Sequence, residues 1–215
     1  MYSYTLPKIF RPFSCKKLIR LGKDNDGGYL VNLEDVFATN TLISLGVGSD
    51  LSFEKQFCQI NDCKVIAIDK DNVEDKFFSD NKFFVQKNIN SDNLENYLKE
   101  KNIFLKCDIE GTEYNLLELF IKYSYNFTGI VIELHDINKD KINSIYEFIS
   151  KVDQKIVHIH VNNYFYYKVD SVCIPDILEV TLSSSKNLEL KELVLPNKLD
   201  MPNNPNDNDF GLKFN

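Results

Sequence analysis

Short apolar runs alternate with polar, helix-spaced stretches along most of the chain. "TLISLG" (41–46), "KVIAID" (64–69), "FFVQKN" (83–88), "IFLKCD" (103–108), "GIVIEL" (129–134) and "IVHIHV" (156–161) are rich in β-branched or aromatic residues and bounded by polar ones, the pattern of buried strands. Between them, residues 51–60, 91–101, 112–124 and 142–152 carry apolar side chains at helical spacing, and Ser91, Asp92 and Asn93 before Leu94 predict a helix start. Alternation of this kind predicts a mostly parallel sheet with helices on both faces. Two segments stand outside it. Residues 16–32 place two apolar runs around Asp-Asn-Asp-Gly-Gly, the chemistry of a hairpin. Residues 178–184 read as a last strand, before a Pro/Asn-rich stretch that predicts irregular structure. With no repeat and no linker, residues 1–215 are expected to form one α/β domain. Its parts are an N-terminal hairpin or lid (1–40), a core (41–195) and an irregular C-terminal tail (196–215).

A length of 215 residues suits one such domain, and 43% hydrophobic with 27% charged residues is a globular balance. A net charge of -7 argues against a nucleic-acid partner gripped through its phosphates. The apolar runs are strand-sized, so no membrane span is expected, and "MYSYTLPKIF" lacks the continuous apolar core of a signal peptide. Five cysteines without a C-x-x-C pair read as reduced thiols of a cytoplasmic protein.

Candidate chemistry gathers at the strand ends. In "LGVGSD", Gly46 and Gly48 follow the first strand of the alternation, where missing Cβ atoms let backbone approach a ligand. A dinucleotide fingerprint would need a third glycine where Leu51 stands. S-adenosylmethionine, which has no phosphate, asks instead for open backbone and carboxylates, and Asp50 supplies one. Asp69 ends the next strand and is expected to take both ribose hydroxyls. Asn88 ends the third and is placed to read adenine. In "LKCDIEGTEYNLL", Asp108 ends the fourth strand beside the expected position of the donor methyl, with Glu110 as a substrate contact and Gly111 turning the chain.

"LGKDNDGGYLV", "SLGVGSDLSFE", "LKCDIEGTEYNLL", "IELH", "HIHVNN" and "IPDILEVTL" occur here in that order, and in this the chain resembles the FkbM-like methyltransferases. The resemblance runs from about Arg20 into the C-terminal tail. It implies a single Rossmann-like class I methyltransferase domain, S-adenosylmethionine as methyl donor with S-adenosylhomocysteine as product, and a role around surface glycans. The acceptor then expected is a small polar molecule, carbohydrate-linked or phosphate-like, with O-methylation favoured over N-methylation.

All three histidines fall at strand ends: His135 after "VIEL", then His158 and His160 on one face of a later strand. Methyl transfer to a hydroxyl requires alignment and loss of a proton, so His135 is the first expected base and His160 the second. Asn162 and Asn163 read as substrate-orienting amides. Arg20 and Lys23, flanking the hairpin turn near Tyr29, form a candidate anion clamp. Asp108, His135 and an acid such as Asp136 could hold Mg²⁺ or Mn²⁺, but no close ligand spacing marks the set, so no metal is predicted and activity is expected to survive chelation. Two other classes compete. An NAD(P)-dependent oxidoreductase would use Tyr164 and Lys168 as a Y-x-x-x-K pair, which requires a helix. A non-catalytic binding protein could share the same fold.

Overall fold

The apolar runs lie side by side in one seven-stranded sheet in the computed structural model, which describes residues 1–137, 139–170 and 172–215. In chain order the strands are β1 (Tyr2–Leu6), β2 (Leu18–Gly22), β3 (Gly28–Asn32), β4 (Thr41–Leu45), β5 (Lys64–Asp69), β6 (Lys82–Gln86), β7 (Ile103–Cys107), β8 (Phe127–Leu134), β9 (Lys155–Val169), β10 (Val172–Ser183) and β11 (Phe210–Phe214). The helices are α1 (Leu33–Phe37), α2 (Ser52–Ile60), α3 (Ser91–Leu94), α4 (Leu117–Lys122) and α5 (Lys139–Lys151). The large sheet has the order β6-β5-β4-β7-β8-β10-β9. β6 through β8 are parallel, while β10 runs antiparallel to both of its neighbours. This is the Rossmann-like, mostly parallel sheet with helices on both faces that the sequence predicts.

The continuous apolar runs exist because both faces of the sheet are covered. Ile43, Ile66 and Leu105 point to one face, packed with Phe120, Ile145 and Phe148 of α4 and α5. Leu42, Val65 and Phe104 point to the other, packed with Phe53 and Phe57 of α2 and with Leu21, Tyr29 and Val31 of the hairpin. The chain leaves β4 toward β5 on one side and returns to β7 on the other. The carboxyl ends of β4 and β7 therefore bound a crevice where the strand order reverses, the place where open α/β sheets take ligands.

Three elements differ from expectation. Residues 91–101 shorten to α3 and a single turn at Tyr97–Lys99. The cap is Asn90, which exchanges hydrogen bonds with Asn93. β9 runs on through the aromatic stretch to Val169, so Tyr164 and Lys168 stand on a strand and not on the helix that an oxidoreductase pair requires. The tail is not wholly irregular, because β11 pairs in parallel with β1, Tyr2 opposite Phe210. Phe210 and Leu212 are buried there, and Phe210 packs against the rings of Tyr2 and Tyr166. The five cysteines are free thiols. Among the described residues, no helix is long and apolar enough to cross a membrane.

Candidate active site

A cavity of about 770 Å³ opens at the carboxyl ends of β4, β5 and β7, large enough for one small-molecule ligand. Gly46, Gly48, Asp50, Asp69, Asn88 and Asp108 all line it, as do Lys23 and Tyr29 from the hairpin and Glu110 from the loop after β7. The two glycines serve different ends. Gly46 has φ +73°, and a Cβ there would stand 1.6 Å from the carbonyl oxygen of Asp108. Its hydrogen side lets the neighbouring strand's exit pass, and no ligand is needed to explain it. Gly48 has φ +54°, and a Cβ there would meet nothing within 4 Å, so this residue opens backbone to the cavity.

Asp69 fixes that loop. One carboxylate oxygen accepts the Gly48 N–H at 2.9 Å and the other accepts the Asp71 N–H at 2.9 Å. Each oxygen keeps a lone pair for a ligand hydroxyl. Asp50 accepts the Ser52 N–H and hydroxyl, both at 3.0 Å, which secures the start of α2, and lies 3.8 Å from the Lys23 ammonium. Asn88 is beyond the end of β6, exposed, and among the residues that line the cavity.

The wall at β7 and β8 is acidic. The Tyr29 hydroxyl is 3.0 Å from Asp108 Oδ2 and 3.0 Å from Glu133 Oε2. One phenol proton serves only one of them, so the set needs a further proton or cation on the second carboxylate. Burial, then the charges of Asp108 and Glu179, hold the Glu133 carboxyl well above its usual range. Burial raises Asp108 as well, opposed by the Lys106 and His135 charges. His135 sits behind Asp108 with Nδ1 3.0 Å from Glu113 Oε1, and Nε2 3.6 Å from Glu133 and 3.5 Å from Glu110. Burial alone would lower its pKa. The Glu113 hydrogen bond and the charges of Glu113, Glu133 and Asp108 outweigh that and raise it to about 9. With Nδ1 turned to Glu113 Oε1, Nε2 is the ring nitrogen left to face the acidic wall.

Other candidate residues stand elsewhere. The Arg20 guanidinium donates to the carbonyls of Lys23 and Asn25 and braces the hairpin turn, while Lys23 lines the cavity. His160 is buried, with Nδ1 3.1 Å from Glu179 and Nε2 3.1 Å from Asp209, and His158 pairs with Asp200. Neither of these histidines, nor His135, is among the residues that line the cavity. Asn162 donates to Glu133 Oε1 at 3.0 Å and so orients that carboxylate. Asn163 donates to the Asn204 carbonyl at 3.0 Å and accepts the Asn204 N–H at 2.7 Å, pinning the tail. Replacing Asn163 by alanine should leave buried backbone groups unpaired and cost about 2–3 kcal/mol. Thermal melting together with proteolysis of residues 196–215 would read this, and an unchanged melt would remove the pinning role.

Sequence reasoning passed over Glu54, Lys106 and Glu133. Lys106 lines the cavity, lies 3.8 Å from the fully buried Glu54 and 5.7 Å from the centre of the Tyr29 ring. The signal was present: a lone charge inside an apolar strand, as in "FLKCD" and "VIEL", is rarely buried unless paired.

No protein-family model matches the chain, and no curated protein matches it. Solved structures to which it is similar include an rRNA methylase from Streptococcus thermophilus, at 15% identity and TM-score 0.43, over 70% of this chain and 90% of that one. A SAM dependent methyltransferase from Archaeoglobus fulgidus matches at 16% identity and TM-score 0.40, over 70% and 89%. The human methyltransferase 10 domain containing protein matches at 13% and 0.40, over 72% and 79%.

Proposed function

We propose that this protein is an S-adenosylmethionine-dependent methyltransferase acting on a small polar acceptor. The observation that carries this reading is one cavity at the switch point of the sheet. It is lined by polar groups at or just beyond the ends of β4, β5, β6 and β7. The residues fit the donor. Gly48 opens backbone with room for a ligand, Asp69 has lone pairs left for two hydroxyls, and Asn88 lies farther along the rim. A pyrophosphate finds no third glycine, because buried Leu51 occupies that position. When bound, S-adenosylmethionine supplies an electrophilic methyl group. Asp108 and Lys106 would then flank the reacting centre, and Glu110 would meet the acceptor at the mouth.

The order of the motifs supports the finer reading of an FkbM-like enzyme that methylates oxygen, with an acceptor that is carbohydrate-linked or phosphate-like. Calorimetry should find one equivalent of S-adenosylhomocysteine bound. Asp69→Ala should weaken it by about 2–4 kcal/mol, because charge-assisted bonds to ribose are lost and Gly48 is released. Unchanged affinity would take Asp69 out of the site, and tight binding of a nicotinamide dinucleotide would overturn the donor. A screen of activated sugars and small phosphorylated metabolites, read by S-adenosylhomocysteine release, tests the acceptor. Turnover confined to amines would replace oxygen by nitrogen.

A further inference from the structure

We propose that Asp108, Glu133 and His135 bind one divalent first-row cation, with Mn²⁺ and Zn²⁺ the best fits, against the cavity wall at Asp108. The ligand atoms of these three residues lie within 4.8 Å of one another, and they form the one such group found among the described residues. Glu133, and not Asp136, completes it. The His135 Nε2 stands 3.6 Å from Glu133 and 3.5 Å from Glu110, too far for a sound hydrogen bond. An ion about 2.1 Å from each of two atoms so spaced would subtend roughly 110–120°, an ordinary angle at zinc or manganese.

Each ligand is also held from behind, as in built metal sites. His135 Nδ1 faces Glu113 Oε1 at 3.0 Å, which leaves Nε2 to face the carboxylates. Glu113 is itself fixed by the Ile109 N–H at 3.1 Å and the Gly111 N–H at 3.2 Å. Asn162 holds one oxygen of Glu133, and Tyr29 stands against the other oxygen and against Asp108. A mixed set of one imidazole and two carboxylates favours manganese or zinc over calcium or magnesium.

The role of the ion rests on the methyltransferase reading, although its binding does not. Facing the cavity through Asp108, it would take two oxygens of a vicinal diol or hydroxy acid. Coordination acidifies the hydroxyl, whose proton leaves to water. As that oxygen forms its bond to the methyl carbon, the carbon–sulfur bond breaks and its electron pair stays on sulfur. This does the work otherwise expected of a neutral histidine, and it reverses the expectation that activity survives chelation.

The test is titration of the full chain with Mn²⁺, followed by the electron paramagnetic resonance of the free ion and without methyl donor. One equivalent should bind. His135→Gln and Glu133→Gln should abolish that binding, and Glu113→Gln should weaken it about 10–100-fold. Asp71→Asn should leave it unchanged. Equal Mn²⁺ binding by wild type and His135→Gln overturns the site, as does no binding by wild type. Should the buried variants fail to fold, Co²⁺ on wild type decides. A four- or five-coordinate visible spectrum with an imidazole ligand supports the site, and a hexaaqua-like spectrum sinks it. S-adenosylhomocysteine calorimetry on the same samples separates the two readings. Cation binding without S-adenosylhomocysteine binding leaves the metal site standing and removes the methyltransferase reading.

Discussion

Gly46→Ala is expected to abolish both stable folding and ligand binding. The new methyl group would overlap the Asp108 carbonyl oxygen, and the backbone at φ +73° already disfavours any side chain. β4 and β7 are the central pair of the sheet, and every residue of both is buried, so neither can shift without opening the core. The expected cost is about 4 kcal/mol or more. Gly48→Ala is the control. Its φ of +54° costs an alanine about 1–2 kcal/mol, but the methyl meets no protein atom. That variant should fold and lose ligand affinity selectively. Thermal melts and calorimetry on the pair separate packing from binding, and a Gly46→Ala protein melting near wild type would discard the steric account.

Stability is expected to fall as pH rises from about 6.5 to 10, with His160 as the source. Burial alone would lower this ring's pKa. Its hydrogen bonds to Asp209 and Glu179, with the charges of Glu179 and Asp200, outweigh that and raise it to about 10. The folded value therefore lies above the unfolded value of about 6.5. Between the two, the native state holds a proton that the unfolded chain has released, so stability drops by up to about 1.4 kcal/mol per pH unit. The contribution is whole below pH 6.5 and gone above the folded value. The groups facing the ring are Glu179 of β10 and Asp209 and Asp200 of the tail. Urea unfolding of wild type and His160→Gln at pH 6.5, 8 and 9.5 should show a gap that narrows with pH, while parallel curves would dismiss the linkage. His135, raised to about 9, adds a slope of the same sign, and the variant comparison subtracts it.

The central strands were legible because burial on both faces leaves apolar runs with at most a lone polar residue inside, as in "TLISL" and "IFLKC". The crevice followed from their parallel order, and with it the positions of Gly46, Gly48, Asp69 and Asp108. The histidines were not legible in the same way. Whether His160 faced solvent or protein depended on Asp209, a residue of the tail far away in sequence. The tail's own strand was hidden because Phe210, Leu212 and Phe214 alternate over only five residues after a Pro/Asn-rich stretch. Glu133 was visible as a lone acid in an apolar run, but its meaning required Tyr29 and Asn162, which reach it from the hairpin and from β9.

The β1–β11 pairing sets an order on biosynthesis. β1 is made well before β11 and finds its hydrogen-bonding partner only when Phe210–Phe214 has followed. Until then Leu6 lacks its partner Phe214. His160, abreast of Glu179 and Glu133 on β9, β10 and β8, also lacks the Asp209 carboxylate. The sheet can assemble as the chain emerges, since domains form progressively during synthesis. Closing β1 onto β11 is a late, long-range step, slowed by the length of chain between them. A nascent chain stalled before residue 210 would present an open aromatic edge to chaperones, and one that extends past β11 would not.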